Sequence, residues 1–145
     1  RYPSAPVARQ TIMSSVAGIG AGLGVFELDI ETSGAITFYV NKPTTGFSSR
    51  ASGVLSTNTW HYAVAWYDPS LELIWLAVDG GAAASTSIAG GINTANPQSW
   101  TVGSRAGLAQ FATVDVDECK FYKRILSASE QSLDLSNGLA GLELS

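Results

Sequence analysis

The run Phe26-Glu27-Leu28-Asp29-Ile30-Glu31 sets three carboxylates two residues apart among apolar side chains. Successive side chains of an extended strand point to opposite faces, so Glu27, Asp29 and Glu31 share one face and Phe26, Leu28 and Ile30 the other. Carboxyls in a row can do acid–base chemistry, because crowding of like charge holds one protonated while its neighbour stays ionised. Hydrolysis of a glycosidic bond with retention needs two such groups about 5–5.5 Å apart. Regular geometry works against this, since residues four apart on a strand are separated by roughly 13 Å at ~3.3 Å per residue; only twist or a bulge draws Glu27 and Glu31 together. The competing reading is a sandwich strand whose acidic face stays in solvent and does nothing, and that is the expectation.

Other residues offer other chemistry. Trp66, Trp75, Tyr62 and Tyr67 are the candidates for ligand binding, because sugars stack on flat aromatic faces with polar edges nearby. Core packing competes for each of them. His61 is the only histidine, so any Ser-His-Asp or His-metal arrangement would depend on it; a packed, hydrogen-bonded ring is the simpler expectation. Asp115, Asp117 and Glu118 have the oxygen ligands that calcium takes, but on a strand Glu118 points away from the other two. No other cofactor is implied. The single cysteine, Cys119, lies in an alternating run and reads as a small buried hydrophobe. One Cys and one His cannot assemble a structural zinc site. Gly18-Ile19-Gly20-Ala21-Gly22 is read as a hairpin turn, because no helix with Lys-Ser or Lys-Thr follows to make a phosphate cradle.

The elements that must hold these residues are strands. Apolar residues make up 46% of the 145 and charged residues 14%, enough to bury a core and too few charges for a disordered chain. A net charge of -4, with eight scattered Lys and Arg, argues against nucleic acid. No apolar run approaches the ~18 residues of a membrane-spanning helix, so membrane insertion is not expected. Short alternating runs are expected as strands at Gln10–Ser15, Val25–Glu31, Ala35–Asn41, Trp60–Asp68, Leu71–Val78, Thr86–Ala89, Trp100–Gly103 and Val114–Tyr122, punctuated by turns such as Ser33-Gly34 and Asp79-Gly80-Gly81. In Leu71–Val78 both faces are apolar, which suits an interior strand or one whose outer face meets a partner. Ser127 three residues before Glu130 has capping-box spacing and predicts one short helix over Ser127–Leu135, closed at Asn137-Gly138. The pattern is all-β, a sandwich of two antiparallel sheets in one domain over residues 1–145.

Three segments taken in order carry a resemblance: Trp60-His61 opening a strand, a strand ending Val78-Asp79-Gly80, and Asp117-Glu118 followed by Leu126-Ser127-x-x-Glu130. Together they resemble the laminin G-like members of the concanavalin A-like lectin and glucanase superfamily. The resemblance implies a jelly-roll fold, a structural role for His61, and a non-catalytic module for recognition or assembly that binds carbohydrate or protein. Many such relatives bind calcium, and they occur on secreted proteins, cell surfaces and virus particles, so an extracellular or virion-surface setting is expected, including a structural role on a virion. It also implies a strand or two before the matched region. Arg1-Tyr2 resembles the end of one, so the expectation is that the first strands lie upstream or that a second chain, as in an oligomer, completes the sheet. Separately, Glu27-x-Asp29-x-Glu31 resembles the signature of family-16 glycoside hydrolases of the same superfamily. That likeness would make Glu27 the nucleophile, Glu31 the acid/base and Asp29 the residue that tunes protonation. Those enzymes are usually much longer, and the match fades after Glu31.

Overall fold

Antiparallel ladders organise the chain into two sheets. The computed structural model describes residues 1–16, 24–44, 46–96, 98–105 and 109–142, with side chains described as far as 138 in the helix. The larger sheet contains β1 (Gln10–Val16), β2 (Gly24–Ile30), β3 (Ala35–Asn41), β4 (Phe47–Val54) and β8 (Thr101–Val102), in the order β4-β3-β2-β1-β8. The smaller contains β5 (Ala63–Asp68), β6 (Leu73–Val78) and β7 (Ala84–Ser87), in the order β5-β6-β7. One helix, α1 (Ala128–Leu142), follows. The result is a jelly-roll sandwich.

The core lies between the sheets, where Phe38, Val40, Ile74 and Ile88 are buried and Phe26, Leu28, Ala65, Tyr67 and Ile92 pack against them. Register explains which side chains arrive there. Phe26 pairs with Val40, Leu28 with Phe38 and Ile30 with Ile36, so the apolar row of β2 faces the second sheet as its alternation requires. Tyr67 pairs with Ile74 and Ala65 with Leu76, which turns this row of β5 inward as well.

Four expectations need correction. β4 was not anticipated, since Phe47-Ser-Ser-Arg-Ala-Ser-Gly-Val is mostly polar and short of β-branched residues; pairing with β3 from Ala35 to Asn41 makes it a strand. Val114–Tyr122 forms no strand. Glu118 takes a φ of 52°, its N–H is captured by the Asp117 carboxylate at 2.8 Å, and Lys120 ties Glu118 to Asp134, so local side-chain bonds displace a ladder. Cys119 is consequently exposed rather than buried. The helix begins where the capping box places it, with Ser127 N–H donating to Glu130 Oε2 at 2.8 Å, but it runs through Asn137-Gly138 to Leu142. The glycine-rich run at 18–22 lies outside the described residues.

Tyr2 anchors the first segment. It is 4% exposed, and its hydroxyl donates to the Leu55 carbonyl at 2.5 Å, with the Gly34 carbonyl 3.3 Å away. Gly34 has a φ of 83°, and a Cβ there would lie 2.8 Å from the Tyr2 hydroxyl. Both the backbone and the close approach therefore call for glycine. Gly34→Ala is expected to destabilise the fold by roughly 1–3 kcal/mol, measured as a lower urea midpoint with an unchanged slope.

Candidate functional site

Two regions hold the residues singled out by type and spacing, one on the outer face of each sheet. On the larger sheet, Glu27 and Asp29 do share a face, but that face is not in solvent: both residues are 0% exposed. Arg105, 78 residues further along the chain, grips Glu27 through two parallel bonds of 2.8 Å, Nε to Oε1 and Nη2 to Oε2. Thr11 on β1 adds its hydroxyl to Oε1 at 2.6 Å. Such a bidentate, charge-assisted contact is the strongest class of side-chain hydrogen bond. Alternation along β2 identifies the shared face, and nothing in it reveals that an arginine from beyond β8 covers that face.

Asp29 is held differently. Arg9 Nε lies 3.2 Å from its Oδ2, yet neither Asp29 oxygen has a donor in hydrogen-bonding geometry among the described residues. Burial, and next the neighbouring Glu27 carboxylate, push the Asp29 carboxyl up to about 8, against the pull of Thr11 and Arg9. Arg9 also sits 5.1 Å over the Tyr39 ring, and the Tyr39 hydroxyl donates to Glu31 at 2.9 Å. The three carboxylates thus have three separate environments. Glu27 is enclosed by Arg105 and Thr11, and Glu31 is engaged by Tyr39.

His61 joins two parts of the smaller sheet. Its Nδ1 lies 2.7 Å from Asp79 Oδ2, its Nε2 lies 2.9 Å from the Ser56 carbonyl, and Asp79 Oδ1 accepts the Tyr62 N–H at 2.8 Å. Asp79 and Gly80 both have positive φ, at 54° and 71°, in a turn closed by Gly81 N–H to the Val78 carbonyl at 2.9 Å. The Trp-His and Val-Asp-Gly segments are therefore two halves of one joint. The ring is structural.

Trp66 and Trp75 are paired across β5 and β6 and project from the outer face, with ring centroids 5.7 Å apart and planes within 5° of parallel. Trp66 also lines a groove of about 390 Å3 with Tyr62, Val64, Ala77, Gln131 and Ser132, between this face and the start of α1. No Lys, Arg, Asp or Glu is among its described lining residues. Burial, and next the Asp134 carboxylate, hold the Tyr62 phenol above its ordinary range, so it remains a neutral hydroxyl. Tyr67 does not join this site: one residue on from Trp66, it points into the core. A hollow of about 430 Å3 at Arg1, Asn58 and Thr113 has no aromatic side chain among its described lining residues.

Asp115, Asp117 and Glu118 do not fit a calcium ion. Arg1 takes the Asp115 carboxylate at 2.8 Å and Lys120 that of Glu118 at 2.7 Å. Among the described residues no three His, Cys, Asp or Glu side chains converge as a metal site. No helix there is long and apolar enough to cross a membrane.

The antiparallel sandwich and its His61–Asp79 joint define a concanavalin A-like jelly roll. Residues 1–130 match the laminin G-like family model of the concanavalin A-like lectin/glucanases superfamily, and the chain belongs to that family. No curated protein and no solved structure matches it. Membership supports a module that binds carbohydrate or protein, in a family whose domains are generally non-catalytic.

Removing the partner of a buried charge is more damaging than removing the pair. Arg105→Ala is expected to cost about 3–5 kcal/mol in urea unfolding, and Arg9→Ala, whose guanidinium makes no aligned bond to Asp29, distinctly less.

Proposed function

We propose that this domain is a recognition module without catalysis of its own, binding a neutral carbohydrate in the groove beside Trp66. The observation that supports this most directly is the parallel Trp66–Trp75 pair on an outer sheet face, next to a groove lined by aromatic, small and neutral polar side chains. Sugar rings offer apolar C–H faces to a flat indole and hydroxyls to groups such as Tyr62, Gln131 and Ser132. Described lining residues without a charged side chain favour a neutral glycan over an acidic one. On the larger sheet, a Glu27 enclosed by Arg105 and Thr11 favours binding over hydrolysis, because a nucleophile must reach its substrate. The setting we infer is the exterior of a cell or a virion.

A glycan array is expected to return a neutral-sugar ligand whose binding weakens about tenfold or more in Trp66→Ala, the loss of an aromatic anchor worth at least ~1.4 kcal/mol. A polysaccharide panel is expected to yield no reducing sugar. Undiminished binding by Trp66→Ala would remove the groove from consideration, and sugar release abolished by Glu27→Gln would restore the hydrolase reading.

A second reading, a protein partner or self-assembly, is favoured by a different observation. Trp100 and Phe121 are 47% and 62% exposed while their rings meet at 4.3 Å, an aromatic surface on the larger sheet beside Phe26. Exposed aromatic clusters of this kind are common at interfaces. Sedimentation is expected to show association that Phe121→Ser weakens; a monomer at every concentration, with no partner retained, counts against it.

A further inference from the structure

The two buried carboxyls on β2 are unequally provided for. Glu27 receives three donors, two from Arg105 and one from Thr11. Asp29, equally buried, receives none in hydrogen-bonding geometry among the described residues. An ionised carboxylate removed from water normally gathers several donors, and leaving one bare is among the costliest arrangements a fold can hold. A neutral carboxylic acid has a different need, namely one acceptor for its proton. Glu27, two residues back on the same face of β2 and equally buried, is the neighbouring carboxylate that can supply it.

The groups facing Asp29 are few. On its own strand there is Glu27. From the first segment and β1 come Arg9 and Thr11, with Gln110 3.1 Å behind the Thr11 hydroxyl. From β3 come Thr37, directly across the ladder, and Tyr39, engaged by Glu31. Arg105 approaches from beyond β8 and is engaged in its bidentate pair with Glu27. Among the described residues, Arg9 is the further cation paired with Asp29, and its side chain is 26% exposed, unaligned and drawn over the Tyr39 ring.

We propose that Asp29 is kept as the neutral acid and donates its proton to Glu27, so that one shared buried proton makes the sandwich lose stability as the solution turns alkaline. Ionising Asp29 sets a second negative charge against Glu27 with no aligned donor to compensate. The sign follows from linkage: the folded protein holds this proton more tightly than the unfolded chain. Its stabilisation is complete below the ordinary aspartate value of 3.8 and is lost as pH rises to about 8.

Asn in place of Asp29 retains a neutral donor to Glu27 and cannot ionise. In urea unfolding from pH 5 to 9, the unfolding constant of the natural protein is expected to rise relative to that of Asp29→Asn by about tenfold per pH unit until Asp29 ionises, and then to run parallel. Parallel profiles across the whole range would overturn the proposal. Carbon-13 NMR of the aspartate side chains provides a reading that needs no variant: the Asp29 carboxyl is expected at its protonated position at pH 6, and an ionised position there would also overturn it.

Discussion

The bidentate grip of Arg105 on Glu27 is the contact on which the larger sheet's outer face depends. β2 must place Phe26, Leu28 and Ile30 inward to build the core, and strand geometry then forces Glu27 and Asp29 outward. Leaving them in water was one solution. This chain instead encloses them, using an arginine from beyond β8, a hydroxyl from β1 and an arginine just ahead of β1. A buried ion pair contributes little net stability compared with an apolar replacement, but it fixes which segment lies over which strand. Here it ties residues remote in sequence onto the centre of the sheet.

The smaller sheet follows a different logic. Both faces of β6 are apolar, and only one is needed for the core, where Ile74 and Leu76 are buried. The other carries Trp75 against Trp66, partly covered by the start of α1. The covering is incomplete, and the groove is what remains. Aromatic surface that the fold does not consume is thus concentrated beside neutral polar groups.

Much of this was legible in the sequence, for identifiable reasons. β3 has the predicted bounds Ala35–Asn41 and β1 differs from its expectation by a single residue, because clean alternation between turn residues leaves little freedom. Ser127 and Glu130 marked the helix start, since a capping box is a local bond pattern. What escaped was non-local. β4 is a strand because β3 offers it a ladder, and Val114–Tyr122 is not one because Asp117, Lys120 and Asp134 provide nearer partners. The carboxylates of Glu27 and Asp29 were rightly assigned to one face, but the cations that cover them lie elsewhere in the chain. Alternation also separates Trp66 from Tyr67, and only the observed register showed which of the two faces outward.

The joint between His61 and Asp79 has a wider consequence. Both ring nitrogens are occupied, one by a carboxylate and one by a backbone carbonyl, so the imidazole is fully committed to connecting the approach to β5 with the end of β6. A signature centred on Trp-His and Val-Asp-Gly therefore certifies architecture. The Trp66 and Trp75 side chains on the outer face take no part in this joint, so substitutions there are free to vary without disturbing it.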